Sequence, residues 1–191
     1  MKYRKDFVTN SSSSSYVCEI CGAEASGWDI GLSDAEMVEC ENGHTICESC
    51  MLPVPRDEVI QEILSYQKEY AEYCDEIHSE EELQAMNDDQ LLQALFSLSE
   101  GRYSVPEGLC PICQFIEYSN GDLAEYLEKE YKVSRDDVFA EIKKLNKRRK
   151  KLYDSEYVVE VCKRFNLNPA EIIVSLKDRF GTYRAFKEYI R

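Results

Sequence analysis

The feature that most constrains how this chain can fold is an ordered series of cysteines with one histidine. The series reads Cys-x2-Cys-x18-Cys-x3-His-x2-Cys-x2-Cys-x59-Cys-x2-Cys. Its eight members are Cys18, Cys21, Cys40, His44, Cys47, Cys50, Cys110 and Cys113. Two thiolates separated by two residues can hold one metal ion between them. Gly22 follows the first pair and suits the left-handed backbone that such a turn often needs. The series therefore predicts a metal-organised region.

The residue types favour two zinc ions over the other metal and redox chemistries of cysteine. A thioredoxin-like redox pair would follow a strand in a βαβ unit, and no such unit is predicted around the three pairs. An iron–sulfur cluster can use cysteines alone, whereas seven thiols in sequence with one imidazole suit zinc better. Four protein ligands per ion leave no open position for an activated water, which disfavours metal-dependent hydrolysis. We therefore expect structural zinc and no active site.

The order of the eight residues resembles that of the RING-type zinc finger, over about residues 18–54 and 105–115. The resemblance implies a cross-brace, in which alternate ligand pairs share an ion. One zinc would then be bound by Cys18, Cys21, Cys47 and Cys50, and the other by Cys40, His44, Cys110 and Cys113. A sequential partition is the alternative. It joins Cys40, His44, Cys47 and Cys50 in one site and Cys18, Cys21, Cys110 and Cys113 in the other.

The same resemblance implies two candidate functions. Ile20 and Pro111 occupy positions that, in RING ubiquitin ligases, present an apolar surface to the conjugating enzyme. The chain differs from that family in the long x59 gap before its last cysteine pair and in Gln114, which stands where active ligases often carry a basic residue. Our first hypothesis is therefore a protein-interaction or adaptor module with an unidentified protein partner, and a ligase-like protein is the second.

Charge and composition limit the kind of partner and the cellular location that we expect. The formal charge of −14 disfavours nucleic-acid binding through the overall field. No segment approaches the roughly 20 apolar residues of a membrane span, and the start of the chain lacks a secretory signal. We therefore expect a cytoplasmic protein, in which nine cysteines indicate metal rather than disulfides. Cys74 and Cys162 are predicted to be small buried side chains, and a third metal site at Cys74 and His78 is disfavoured.

Four regions are predicted along the chain, giving a mostly α fold with a small, irregular, zinc-stabilised RING-like module. Residues 1–16 read as a flexible serine-rich tail, whose Phe7–Tyr16 stretch resembles one shared by many bacterial proteins. Residues 17–54, loop-like in sequence, join 105–115 in the zinc module. Residues 56–104 form an acidic helical insert, with capping boxes at Ser79/Glu82 and Asn87/Gln90.

The fourth region, residues 116–191, is predicted to be helical with two similar helix-turn-helix units. Lys129–Val138 aligns with Lys163–Ile172 at an offset of 34, which duplication or chance similarity of capped hairpins would explain equally well. The basic run Lys143–Lys151 is either a solvated helix face, the favoured interpretation, or a nucleic-acid contact. A third use is pairing with the acidic insert, within one chain or in a dimer.

Overall fold

The computed structural model of the chain describes residues 13–74, 76–98, 104–148 and 154–191. These residues are mostly helical. The strands are β1 (Ser13–Val17), β2 (Glu24–Trp28), β3 (Met37–Cys40), β4 (Thr45–Cys47) and β5 (Ser104–Val105). The helices are α1 (Arg56–Tyr70), α2 (Glu80–Ala85), α3 (Asp88–Phe96), α4 (Pro111–Gln114), α5 (Asn120–Tyr131), α6 (Arg135–Arg148), α7 (Asp154–Arg164), α8 (Pro169–Phe180) and α9 (Tyr183–Ile190).

The strands form two small sheets that organise the cysteine-rich region. The antiparallel hairpin β1–β2 pairs Val17 with Glu24, and a three-stranded sheet has the order β4-β3-β5. Strand β5 runs parallel to β3 and pairs Cys40 with Val105. A parallel pair needs a long crossover connection, and the acidic insert provides it. The pairing brings the chain from the end of the insert back to the cysteine-rich region, just before Cys110.

Two predicted boundaries need correction here. Residues 13–16 belong to β1, so the predicted tail does not extend to Tyr16, and residues 1–12 lie outside the described residues. Residues 17–54 hold β2, β3 and β4 rather than loops alone. These strands are only three to five residues long, and they mix strand-favouring Val, Ile and Thr with Gly, Ala and Glu, which are depleted in strands. Pairing with neighbouring strands therefore decides their conformation.

The acidic insert folds as helices, as the hydrophobic spacing predicts. Val59, Ile60 and Ile63 form the buried face of α1, which packs against α3. The capping boxes at Ser79/Glu82 and Asn87/Gln90 are confirmed, since each pair exchanges side-chain and backbone hydrogen bonds at the start of α2 and α3. The apolar spacing after Arg56 predicts a helix to about His78, but α1 ends earlier, at Tyr70, and a short 3-10 turn follows it.

The C-terminal half contains two consecutive helix-turn-helix units, α5–α6 and α7–α8. The turn of each uses a non-glycine residue with positive φ, Lys132 at 60° and Asn166 at 56°. These two positions are related by the same offset of 34 that aligns the two segments in the sequence. Such residues are uncommon, so their shared position agrees with the repeat. Helices α7 and α8 pack against α4, and α5 packs against α6, α7 and α9.

One apolar core runs through the cysteine-rich strands, the insert and the C-terminal helices. It includes Val38 from β3, Ile63 from α1, Leu91 from α3, Phe115 after α4 and Ile172 from α8. Each of these side chains is almost fully buried. Within the described ranges, no helix combines the length and the apolarity that crossing a membrane requires.

Candidate metal centre

The structure gathers the eight cysteine and histidine residues into two groups of four. Within each group the candidate ligand atoms lie within 4.8 Å of one another. The all-cysteine cluster consists of Cys18, Cys21, Cys47 and Cys50, and the histidine cluster consists of Cys40, His44, Cys110 and Cys113. This is the interleaved partition that the cross-brace order predicts, and the sequential alternative does not match it. Each cluster can hold one metal ion.

The all-cysteine cluster is built at the junction of two turns. Cys18 and Cys21 flank the turn after β1, where Gly22 has the expected positive φ of 76° and its N–H donates to the Cys18 carbonyl oxygen at 2.9 Å. Cys47 ends β4, and Cys50 ends the following 3-10 turn. The Cys21 and Cys47 sulfur atoms lie 3.6 Å apart. Tetrahedral zinc with Zn–S bonds of about 2.3 Å places its sulfurs about 3.8 Å apart, so the spacing fits zinc.

The histidine cluster joins β3 to α4. Cys40 ends β3, Gly43 makes a turn with a φ of 79°, and Cys110 and Cys113 stand at the start of α4. His44 points its Nδ1 atom at three sulfurs, those of Cys40 (3.3 Å), Cys113 (3.4 Å) and Cys110 (3.7 Å). Zinc–nitrogen bonds of about 2.0 Å and zinc–sulfur bonds of about 2.3 Å require separations of about 3.5 Å. The geometry therefore fits an Nδ1-bound zinc.

Asn42 supports the histidine cluster, and the sequence analysis did not identify it. Its side-chain amide lies 3.3 Å from the Cys113 sulfur, to which it donates, and 2.9 Å from a Glu107 carboxylate oxygen. A hydrogen bond to a ligand sulfur orients the thiolate and offsets part of its negative charge. Asn42 lies in the Cys40–His44 turn, but no local pattern marks an asparagine as such a donor.

Electrostatics in both clusters favours the presence of a cation. Burial opposes ionisation of Cys18, but backbone N–H groups of Cys21 and Cys47, 3.5 and 3.3 Å from its sulfur, lower its pKa to about 7. Hydrogen bonding to Cys113 and Cys40 raises the pKa of His44 to about 10 and also raises the pKa of the Cys110 thiol.

Neighbouring thiols at these distances cannot all ionise without a compensating positive charge. In the histidine cluster, hydrogen bonding among the thiols lowers the pKa of Cys40 and raises the pKa of Cys110, so the two thiols do not ionise together. A divalent metal ion supplies the charge, binds the thiolates and releases the protons that they held. All four protein side chains of each cluster face one point, so a bound ion would have a closed coordination shell and a structural role.

Ile20 and Pro111 are both buried. Ile20 is 2% exposed, and Pro111 belongs to the buried face of α4. Ile20 shares the lining of one pocket with Leu167 and Pro169 of the α7–α8 turn. In this fold both side chains are buried within the chain, and contact with a partner through them stays a prediction. The physical reason is that Ile20 belongs to the apolar core that the cysteine-rich region shares with the C-terminal helices.

The structure also describes the two cysteines outside the clusters and part of the basic run. Cys162 is fully buried in α7 as predicted, whereas Cys74 is only half-buried and its thiol donates to the Tyr70 carbonyl oxygen at 3.5 Å. Among the described residues, Cys74 and His78 belong to no metal-binding group. In the basic run, Lys143 and Lys147 are exposed while Leu145 is buried, which is the pattern of a solvated helix face. Residues 149–151 lie outside the described part.

Comparisons with known proteins add no relatives to this description. No protein-family model, curated protein or solved structure matches the chain. The functional interpretation therefore depends on the residues and their geometry.

Proposed function

We propose that the protein is a RING-like, two-zinc cross-brace protein that acts as an interaction or adaptor module through a partner-binding surface. The observation that carries the proposal is the division of the eight candidate ligands into interleaved groups of four. That division links the turn after β1 to the Cys47–Cys50 turn, and it links β3 to α4 across the whole insert. Neither ion has a role in chemistry in this proposal, because each coordination shell is filled by protein side chains.

Energetics supports a structural role for the two ions. Residues 17–54 contribute few large apolar side chains, and structural zinc supplies on the order of 10 kcal/mol of folding free energy in small domains. Each bound ion would fix elements that are distant in sequence. The histidine cluster joins β3 to α4, which lies on the far side of the acidic insert from Cys40. A rigid platform of this kind acts by presenting surfaces to other molecules.

The cysteines also support a reducing setting, which the proposal takes to be the cytoplasm of a bacterium. All nine are free thiols, and the two clusters account for seven of them. Oxidation of cluster thiols to disulfides would remove the metal ligands.

The ligase-like alternative loses support from the burial of its two marker residues. A conjugating enzyme bound as in RING ligases needs an accessible Ile20, whereas Ile20 is 2% exposed. Gln114 is also engaged within the chain, since its amide donates to the Glu107 carbonyl oxygen at 2.8 Å and its oxygen accepts from Lys177. We therefore retain the adaptor function.

Metal analysis of the purified chain tests the proposal. We expect two zinc ions per chain, the loss of one in Cys47→Ser and in Cys110→Ser, and the retention of both in Cys162→Ser, whose thiol belongs to neither cluster. One ion or none in the unmodified protein would contradict the eight-ligand assignment.

Double variants test the partition of the ligands. Cys18→Ser/Cys47→Ser removes two ligands of one interleaved site, so one zinc should remain. Cys40→Ser/Cys47→Ser removes one ligand from each site, so both ions should be lost or weakened. A sequential partition reverses the two outcomes. The pair of measurements therefore distinguishes the two arrangements even where each variant is partly destabilised.

A further inference from the structure

Two large open grooves meet at the loop between the metal clusters and the helices. One, of about 730 Å³, lies between Ser49–Leu52 and α8. The other, of about 660 Å³, lies between the same loop and α3. Met51 lines both grooves, so we call this region the Met51 surface. The flanking Cys47 and Cys50 belong to the all-cysteine cluster, which holds the loop in place.

The Met51 surface has an apolar floor and an acidic rim. Met51, Leu92 and Val174 are half-buried and line the grooves. The rim carries four exposed carboxylates, which form no ion pair with another described residue: Glu48, Asp89, Glu171 and Asp178. The guanidinium of Arg179 also lines the rim, but it pairs with Glu130 at 3.1 Å and lies over the Tyr189 ring. The surface therefore fits an apolar group carried among positive charges.

The chain itself carries such a group on α6. Phe139 is 43% exposed, and Lys143 and Lys147 follow at spacings of four on the same exposed face. Neither lysine forms an ion pair within the described ranges, whereas the neighbouring Lys144 pairs with Glu141 at 3.0 Å. The opposite face of α6, which includes Val138 and Leu145, is buried against the molecule's own α5 and α7.

Charge along the chain is divided in the same way. Residues 129–191 hold 17 of the 23 basic residues and 10 of the 37 acidic ones, a formal charge of +7, whereas residues 1–128 have a formal charge of −21. Two copies that placed these regions together would reduce the self-repulsion that a net charge of −14 imposes on association. A nucleic acid would pair with the positive charges of α6 alone and would leave the acidic rim of the Met51 surface without a partner.

We propose that the Met51 surface binds the exposed Phe139–Lys147 face of α6 from a second copy of the chain. Phe139 packs on the apolar floor, and the two lysines meet the acidic rim. Because each copy carries both surfaces, two reciprocal contacts close a two-fold dimer. The inference rests on the proposed function in one respect, since the loop that carries Met51 is held by the all-cysteine cluster.

Sedimentation equilibrium of the zinc-loaded full chain tests the inference. At low ionic strength we expect a concentration-dependent dimer, and at about 1 M salt, where the Debye length is about 3 Å, a rise in the dissociation constant of about tenfold or more. Lys143→Glu/Lys147→Glu should weaken the dimer at least as much. Lys68→Glu/Arg184→Glu, which changes two exposed basic residues elsewhere by the same charge, should leave it unchanged.

Complementary charge reversal provides the sharpest result. Glu48→Lys/Asp178→Lys should also reduce self-association, and mixing it with Lys143→Glu/Lys147→Glu should restore a heterodimer through one repaired contact. A protein that stays monomeric at all concentrations, or a dimer indifferent to both double variants, would overturn the inference. A monomer that binds a synthetic peptide of residues 135–148 would overturn it too and assign the surface to a different basic partner.

Zinc is counted in each sample. Two ions without a dimer reject only this inference, while fewer than two ions in the unmodified chain contradict the proposed function.

Discussion

Ile20 lies inside the first Cys-x2-Cys turn, yet it belongs to the apolar core and is 2% exposed. Ile116 differs from it in environment but not in chemistry. It follows α4 on the chain surface and is 67% exposed. The two isoleucines have the same side chain and differ in burial, so Ile116 serves as the control for Ile20.

We expect Ile20→Ala to reduce the free energy of unfolding by about 2–4 kcal/mol, because truncation removes buried methyl groups and leaves a cavity. Ile116→Ala should change it by less than about 0.5 kcal/mol, as exposed substitutions usually do. Urea denaturation followed by circular dichroism measures both. Equal, small effects would mean that Ile20 is accessible and would reopen the ligase-like interpretation.

At the scale of elements, Asp122 attaches α9 to α5. Asp122 is 8% exposed and accepts hydrogen bonds from the Tyr183 hydroxyl at 2.6 Å and from Lys187 Nζ at 2.5 Å. Beside this contact, the Phe186 ring packs edge-on against Tyr118, with centroids 5.0 Å apart. The hydrogen bonds of Asp122 therefore lie next to the Phe186–Tyr118 ring contact, and both attach α9 to the core.

Removing the Asp122 carboxylate should loosen α9. We expect Asp122→Ala to lower the free energy of unfolding by about 1–3 kcal/mol, because two hydrogen bonds to a mostly buried carboxylate are lost. Hydrogen exchange of the α9 amides should accelerate. Glu188→Ala is the control, since Glu188 pairs with Arg184 at 3.3 Å on the exposed face of α9 and such pairs contribute little. Unchanged exchange in Asp122→Ala would show that the aromatic contacts suffice.

The hydrogen bonds of Asp122 also predict that the stability of the fold depends on pH. Burial opposes ionisation of Asp122, but hydrogen bonds from Lys187 and Tyr183 hold its pKa below the usual value. A carboxyl whose pKa is lower in the folded state stabilises the fold above its unfolded pKa of about 3.9 and loses that contribution as the pH falls through the folded value. The stability difference between the unmodified protein and Asp122→Asn should therefore shrink below about pH 4. A constant difference would contradict the assignment.

At the scale of the whole molecule, the two clusters and the β3–β5 pairing close the insert into a loop. The Leu52 N–H donates to the Leu109 carbonyl oxygen at 3.0 Å, and Arg56 of α1 pairs with Asp88 of α3. The ends of the insert thus meet beside the metal centre. Bound metal would hold both ends, since Cys50 and Cys113 stand on either side of it.

Removing metal should therefore act over distant segments at once. We expect EDTA at neutral pH to accelerate hydrogen exchange by about tenfold or more in β3, β4 and α4 together. A tenfold step corresponds to about 1.4 kcal/mol, which is small beside the roughly 10 kcal/mol that a bound structural metal ion can supply. The effect should be greater at lower pH, where protons compete with metal for the thiols. Exchange that stayed unchanged after verified metal loss would show that the apolar core alone maintains the fold.

The sequence by itself determined the features that depend on near neighbours. The ligand pairs, the capping boxes and the helical faces each depend on positions only two to four apart, so all were identified from the sequence. Local spacing also indicated the positive φ at Gly22. Local pattern failed where pairing partners decide conformation, in β1 to β4, and where a helix ends without a cap signal, at Tyr70.

Tertiary structure alone decided which ligands meet and which surfaces remain open. Both partitions of the eight ligands satisfy the local spacing, and the choice depends on β5 pairing with β3 across the insert. Ile20 is buried in a core that also contains residues of α7 and α8, which come from the opposite end of the chain. The Met51 surface likewise combines a loop, α3 and α8. Such contacts arise because one apolar core is shared by the whole chain, and no local pattern encodes which of its faces are covered.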